Sequence, residues 1–290
     1  MKSLGSVLLG LSIAAAGSTF AGAQDAQEMQ GPPKVLQITR EFIKPGKTGA
    51  IHDKSESNFV AAMAKAKWPT HYFALNSMSG KSRALYLTGY DTFAAWEKDN
   101  LAIMKDKALT ADLDRASVAD GKLLNGMDQF VFTYDESMSL KPTKSIAGVR
   151  YFEVFNVHVK PGQMGKFHEM GRLIMDTHMK AGTSAHWDAF EIAYGGDDEF
   201  VFFSLDKSMS EIDTGFAEDK QFRDALGDEG MKKLHQLEAD CIQETDSELF
   251  SINPAQSYPP PEWVKADPEF WKHAAAAPAA KPAAAAKPAQ

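Results

Sequence analysis

Two histidines in the segment from Gln163 to Ala181 have the residue type and the spacing for acid–base chemistry. Met164, His168, Met175 and His178 recur at steps of three, four and seven residues, which places them on one side of a helix. Imidazole titrates near neutral pH, so one hypothesis has His168 as a general base and His178 as its supporting group. In the alternative, both histidines have satisfied hydrogen bonds at the edge of a hydrophobic core. Met164 and Met175, on the same side, are candidates for ligand contacts.

A second set of polar side chains opens a predicted strand at His186, Trp187 and Asp188. Alternate residues of a strand point to the same face, so His186 and Asp188 are predicted to lie together. Such a pair suits a proton relay, with Asp188 as a third catalytic candidate, or a solvent-exposed salt bridge at the start of the strand. His186 and Trp187 are also candidates for ligand binding.

His52 occupies the place of His168 in an earlier part of the chain, since 168 − 52 = 116 residues separate them. It is a further candidate for ligand binding, or both histidines share a structural task such as bonding to a strand carbonyl. His178 has Ala62 as its counterpart, so we expect any catalysis in the second half of the chain. His168, His178 and His186 match no established ligand spacing, and we expect no metal site.

The chain contains one pattern twice, and this repeat positions the candidate residues. Lys160-Pro161-Gly162 follows Lys44-Pro45-Gly46 at a displacement of 160 − 44 = 116 residues. Without a gap, the same displacement pairs Leu85-Tyr86-Leu87 with Val201-Phe202-Phe203. The sequence therefore predicts a tandem duplication.

Each copy is predicted to run strand, helix, strand, strand, helix, strand. Runs rich in apolar and β-branched residues predict the strands, and Pro-Gly and Gly-rich turns end them. This order is the split βαβ arrangement of a ferredoxin-like α+β domain, a four-stranded antiparallel sheet with both helices on one face. The other face is left apolar, so we expect the two copies to pack sheet to sheet.

These features resemble the dimeric α+β barrel superfamily, which includes antibiotic-biosynthesis monooxygenase-like, EthD-like and NIPSNAP-like domains. The resemblance rests on a strand ending in Lys-Pro-Gly, an amphipathic helix with His52 or His168 on its second turn, a hairpin and a second helix, and it covers Val35 to Ile252. It implies a single-chain barrel that relatives build by dimerising, so an oligomer is not required. Members include cofactor-free oxygenases, haem-degrading enzymes, isomerases and dehalogenating peroxidases. No Asn/Trp/His set matches the haem-degrading pattern, so we expect no cofactor.

The segments outside the repeats predict export. Residues 1–23 resemble a secretory signal peptide, with an apolar run and Ala21-Gly22-Ala23 as the cleavage site, which indicates a periplasmic or extracellular protein. The remaining predicted boundaries are a flexible leader at 24–34, the first repeat at 35–136 and the second at 149–252. A Pro-rich and aromatic segment at 253–272 is predicted to be extended, and an Ala/Pro/Lys tail at 273–290 to be disordered.

Composition excludes several classes of function. The 290 residues carry a formal net charge of −8, without a Lys/Arg cluster, which argues against nucleic-acid partners. After the N-terminal segment, no run approaches the roughly 20 apolar residues of a membrane span. Cys241 is the single cysteine, and nucleophile elbows and Walker loops are absent from the sequence.

Three functions are consistent with these patterns. The favoured one is an exported barrel that binds a small apolar or aromatic molecule in a cavity beneath the helices. The second is a cofactor-independent monooxygenase-like or isomerase-like enzyme that uses the helix histidines. The third is a cell-envelope interaction protein attached through its tail.

Overall fold

Eight antiparallel strands form a closed barrel in the computed structural model, which describes residues 31–272. The predicted α+β class and the predicted barrel are confirmed. Neighbouring strands follow one another around the barrel in the order β1-β3-β2-β8-β5-β7-β6-β4. The strands are β1 (Val35–Ile43), β2 (Tyr72–Ser77), β3 (Arg83–Tyr90), β4 (Leu124–Tyr134), β5 (Tyr151–Val159), β6 (Asp188–Tyr194), β7 (Glu199–Asp206) and β8 (Ile242–Tyr258).

Helices follow the first and third strands of each half of the chain. The second helical region of each half, expected as one helix, consists of two helices. In the first half, the Asp106 side chain accepts hydrogen bonds from the backbone N–H groups of Ala108 and Leu109, which starts a new helix there. The helices are α1 (Ala50–Ala66), α2 (Phe93–Lys105), α3 (Lys107–Asp120), α4 (Met164–Ala181), α5 (Met209–Ala217), α6 (Asp219–Cys241), α7 (Pro261–Ala266) and α8 (Pro268–Trp271).

The two halves join through hydrogen bonds between strand edges. β2 pairs with β8 in a register that includes Leu75 opposite Ile252, and β4 pairs with β6 with Phe132 opposite Ile192. We expected two separate sheets packed face to face, and this expectation was wrong. The edge strands of the two halves are hydrogen-bonded to each other, so the sheets form one barrel. Closure satisfies the edge N–H and C=O groups that two open sheets would leave unpaired.

The pleat of each strand sorts its side chains between the barrel interior and the helix layer. On β1, Leu36 and Ile38 belong to the interior core, and Arg40 continues that row. Glu41 and Ile43 point the other way, Glu41 towards the His52 side chain of α1. Consecutive residues of this strand therefore serve two different environments.

The segment 253–272 differs from the predicted extended form. β8 continues to Tyr258, which lies opposite Tyr72, and two short helices follow. Pro261 and Pro268 each occupy the first turn of one of these helices, where a missing N–H costs nothing. Trp271 is buried in the barrel core, so this segment packs into the fold as well as against its surface.

The predicted signal peptide, most of the predicted leader and the predicted tail at 273–290 lie outside the described residues. Between residues 31 and 272, no helix has the length and apolarity required to cross a bilayer.

Candidate functional site

One end of the barrel opens into a cavity of about 460 Å³. Its walls are the polar ends of the interior rows of β1, β3, β5, β7 and β8, together with the turn after β2. The lining residues are Arg40, Gly80, Lys81, Arg83, Asn156, His158, Glu199, Glu244, Thr245, Asp246 and Glu248. We call this cavity the barrel mouth. It lies inside the sheet, whereas the sequence predicted a cavity beneath the helices.

Two arginines shape the barrel mouth through ion pairs. Arg40 donates two hydrogen bonds of 2.8 Å to the carboxylate of Asp128, and its guanidinium lies 4.4 Å from the ring centre of Phe130. Arg83 pairs with Glu248, and both side chains are buried. These contacts hold the two guanidinium groups at fixed positions in the wall.

Glu199, together with Arg40, Arg83 and Asn156, lies between the mouth and a small recess whose inner part is apolar. The recess has a volume of about 20 Å³ and lies between side chains that include Ile38, Val154 and Val201. Glu199 lines both spaces, and burial raises the pKa of its carboxyl, against the opposing effects of His158 and Arg40. A carboxylate at such a boundary suits a ligand with a polar head and a small apolar end.

Acidic groups outnumber basic groups in the barrel mouth. The basic lining residues are Arg40, Lys81 and Arg83, and the acidic ones are Glu199, Glu244, Asp246 and Glu248. Asp128, outside this lining set, already neutralises the charge of Arg40. The lining therefore carries more negative than positive charge. This balance favours a ligand head that is positively charged or donates hydrogen bonds.

A second polar site lies between the barrel and helices α1 and α3. It contains Glu41, His52, Glu56 and Asp120, all buried, and one ligand-capable atom of each lies within 4.8 Å of the others. His52 and Glu56 are four residues apart on α1, so both point to the same side of the helix. Nε2 of His52 is 3.2 Å from Oε2 of Glu41 and 3.6 Å from Oδ1 of Asp120. We call these four residues the carboxylate–histidine cluster.

The other nitrogen of His52 is oriented by the far half of the chain. Nε2 of Gln256 on β8 donates to Nδ1 of His52 at 3.1 Å and to Oδ1 of Asp53 at 2.9 Å. His52 therefore carries its proton on Nε2, facing Glu41 and Asp120. Burial raises the pKa of Glu41, and it raises that of Glu56 well above its usual value, reinforced by the charges of Glu41 and Asp120.

The two histidines of α4 have separate surroundings. The His168 ring lies 6.0 Å from the ring of Phe200, whereas His178 packs 4.5 Å from the ring of Phe222 and bonds through Nδ1 to the hydroxyl of Thr183 at 2.8 Å. Ten residues on one helix correspond to about 15 Å along its axis. The structure therefore does not bring His168 and His178 to one reacting group.

The residues around the start of β6 also have different partners. His186 contacts the backbone carbonyls of Ser184 and Leu205, and Trp187 donates its indole N–H to the carbonyl of Met138 at 2.8 Å. Asp188 is buried and accepts from the backbone N–H of Thr143 at 2.9 Å, and burial raises its pKa to about 6. The proposed relay between His186 and Asp188 is not formed by these contacts.

The remaining candidate residues divide between packing and the cluster. Met164 packs against the apolar core beneath α4, Met175 is half-buried on the same helix, and Trp187 lies 5.7 Å from His178. His52 alone enters a polar site. Sequence reasoning missed its partners Glu41, Glu56 and Asp120, although a His and a Glu at positions i and i+4 of a helix were a usable signal.

Comparisons with known proteins give no family assignment. No family model matches the chain, and no curated protein matches it. Solved structures with a similar chain path include a candidate monooxygenase from Fusobacterium nucleatum. It is 11% identical to this chain, with a TM-score of 0.49, and the match covers 76% of this chain and 93% of that protein. An anthrone oxidase-like protein is 12% identical with a TM-score of 0.48 over 76% and 92%. Chlorite dismutase from Candidatus Nitrospira defluvii, in complex with imidazole, is 10% identical with a TM-score of 0.46 over 83% and 98%. Likeness at this level says nothing about the chemistry of this chain.

Proposed function

We propose that this protein binds a small amine-bearing molecule in the barrel mouth. The observation that carries the proposal is the cavity of about 460 Å³ that is rich in carboxylates and continues into an apolar recess beside Glu199. Its volume is within the range of small-molecule sites. The ligand places its positive head near Glu199 and Asp246 and a small alkyl end against Val154 and Val201. This ligand class is more polar than the apolar or aromatic molecule expected from the sequence.

We also infer that the barrel arose by duplication within one chain. The two repeats would then take the places of the two subunits in a dimeric α+β barrel. The order strand, helix, strand, strand, two helices, strand occurs twice. Gly46 and Gly162, 116 residues apart, have φ values of 75° and 77° in the turns after β1 and β5. The backbone N–H of Lys44 donates to the carbonyl of Leu123, and that of Lys160 donates to the carbonyl of Cys241. Each acceptor directly precedes the last strand of its half. These correspondences support the inference.

A ligand series with one carbon skeleton tests the binding proposal. Titration of the protein with 1-butylamine, 1-butanol and butyrate is expected to raise the melting temperature most with the amine. Glu199→Gln is expected to reduce that preference, because the amide carries no charge for the ammonium group. Glu97→Gln, on the exposed surface of α2, is the control and leaves it unchanged. Equal effects of the three compounds on the unmodified protein would contradict the proposal.

An enzymatic function is the second candidate, and one observation favours it. Asp188 has a pKa of about 6, which is suitable for a general base near neutral pH. A cofactor-independent monooxygenase-like or isomerase-like reaction would use Asp188 as its base, and each α4 histidine is tested as a separate candidate. Screening for turnover, followed by Asp188→Asn and His168→Ala, tests this function. Undiminished turnover in both variants would exclude these residues.

Export remains part of the proposal on sequence grounds. Lys2, the apolar run and the small residues before Gln24 support cleavage after Ala23. Mass spectrometry of the protein recovered from the periplasm or the medium of a bacterial host is expected to show a chain beginning at Gln24. Recovery of the uncleaved chain in the cytoplasm alone would contradict export. An envelope partner bound through the tail is tested in the same host by deleting 274–290.

A further inference from the structure

The carboxylate–histidine cluster concentrates acidic groups in a buried position. Three carboxyl groups and one imidazole meet where α1 and α3 cover the outer face of β1. Glu56 and Asp120 are only 3% and 2% exposed. Among residues 31–272, the ion pairs of Glu41 and Asp120 are with His52, and no ion pair joins the cluster to a lysine or arginine. Ionised carboxylates buried without a cation are costly.

Two oxygen atoms of the cluster lack hydrogen-bond partners. Oε1 of Glu56 and Oδ1 of Asp120 are buried and have no hydrogen bond to any group within the described part of the chain. A buried polar atom without a partner is energetically unfavourable. The oxygens belong to side chains whose ligand atoms converge within 4.8 Å, so small side-chain movements would place them around one ion.

We propose that Glu41, His52, Glu56 and Asp120 bind one divalent transition-metal ion. A set of one imidazole and three carboxylates suits zinc, manganese or iron(II), whereas magnesium and calcium prefer oxygen ligands alone. The ion supplies the positive charge that the cluster lacks and contacts Oε1 of Glu56 and Oδ1 of Asp120, which have no hydrogen-bond partner among the described residues. This site replaces the sequence-based expectation that the chain has no metal site.

Ligation by His52 involves Gln256. The ion takes Nε2 of the imidazole, so the ring proton moves to Nδ1, where the Gln256 amide now donates. The carboxamide must turn so that its oxygen accepts from Nδ1, a role that outer groups commonly have for metal-bound histidines. When the carboxamide rotates, Oδ1 of Asp53 loses the hydrogen bond from Gln256. It keeps the hydrogen bond of 2.7 Å from the side-chain amide of Asn253.

The second half of the chain provides an internal control. At a displacement of 116 residues, Val157 stands in the place of Glu41 and Arg172 in that of Glu56. His168 keeps the imidazole but lies near Phe200 and Phe167. A metal ion is therefore expected in the first half only, and His168→Ala is a matched control for His52→Ala.

Metal stoichiometry tests the site on the untagged protein. After dialysis against a chelator, ZnCl₂ or MnCl₂ is titrated by calorimetry, and bound metal is counted by mass spectrometry after desalting. We expect one ion per chain for the unmodified protein and for His168→Ala. Glu56→Gln and His52→Ala should each weaken affinity at least tenfold, since each removes one ligand.

Folding must be separated from ligation in this test. Near-ultraviolet circular dichroism identifies variants that retain their tertiary structure, and Glu56→Gln is the more conservative of the two because its side chain has the same shape. A folded Glu56→Gln variant with unchanged metal affinity would falsify the site, as would an unmodified protein that binds neither ion. In the second case, a Glu56→Gln variant more stable than the unmodified protein would identify a network of protonated carboxyls instead. The barrel mouth lies on the other face of the sheet, so these results are independent of the amine titration.

Discussion

Arg40 and Asp128 stand directly opposite each other on β1 and β4, joined by two parallel hydrogen bonds of 2.8 Å at the barrel mouth. Their side chains are 26% and 40% exposed. The Arg83–Glu248 pair in the same wall has side-chain exposures of 7% and 5%. These two ion pairs of the barrel mouth therefore differ in solvation, and burial decides how much each contributes to stability.

Replacement of Arg83 is predicted to be far more costly than replacement of Arg40. Arg83→Met leaves Glu248 buried without its cation and should lower the free energy of unfolding by about 3–5 kcal/mol. Arg40→Met is the matched control, with an expected loss of about 0–1 kcal/mol. Urea denaturation measures both, and similar losses for the two variants would contradict the assignment of Arg83–Glu248 as the buried pair.

Gly80 is predicted to be required for the position of Glu248. A Cβ atom at Gly80 would collide with Oε1 of Glu248, and its φ of 69° disfavours other residues. Gly46 has a similar φ of 75° with nothing within 4 Å of a Cβ, so Gly46→Ala isolates the backbone effect, about 1–3 kcal/mol. Gly80→Ala should destabilise the protein more than Gly46→Ala in thermal or urea unfolding. Equal losses would show that Glu248 moves aside freely.

The raised pKa of Asp188 is predicted to make stability depend on pH. The carboxyl is protonated in both states below its ordinary value of 3.8, and between 3.8 and about 6 only the folded state retains the proton. The stability contributed by the neutral group is therefore present at low pH and lost as pH rises through about 6, by at most about 3 kcal/mol.

Comparison with Asp188→Asn checks this dependence. The free energy of unfolding of the unmodified protein, relative to that of the variant, should fall between about pH 4 and pH 6 and stay level above. Asp213→Asn, at an exposed position of α5, should leave the profile unchanged. A constant difference between the unmodified protein and Asp188→Asn would contradict the shift.

Trp271 is predicted to be a major contributor to barrel stability. It is 1% exposed, packs in the interior core and lies 6.1 Å from the ring of Trp263. Trp271→Ala should cost about 3–5 kcal/mol through lost burial and a residual cavity. Phe216→Ala removes an aromatic ring that is exposed on α5 and should change stability by less than about 0.5 kcal/mol. Comparable melting temperatures for the two variants would show that the C-terminal helices detach from the barrel.

Much of the fold was predictable from local sequence. Runs rich in apolar and β-branched residues, the two Lys-Pro-Gly turns and the hairpin glycines indicated the strands and their antiparallel order, since these signals depend on neighbouring residues. The C-terminal segment was predicted wrongly, because Pro261 and Pro268 suit both an extended chain and the first turn of a helix. Packing of Trp271 in the core favours the helices there.

The candidate sites were less predictable. His52 was a candidate by itself, but Glu41 and Asp120 are 120 − 41 = 79 residues apart, and neither position has a sequence pattern that indicates the other. The barrel mouth depends on strand pairing between the halves, which places Arg83 beside Glu248 across 248 − 83 = 165 residues.

The sequence alone indicated the eight strands and the helices α1 and α4. The strand period also puts the neighbours Arg40 and Glu41 on opposite faces of β1. Only the tertiary structure decided that Arg40 borders an open cavity while Glu41 meets His52, Glu56 and Asp120. The physical reason is that closure of the sheet and docking of α1 and α3 are collective results of packing, and no single segment of the chain encodes them.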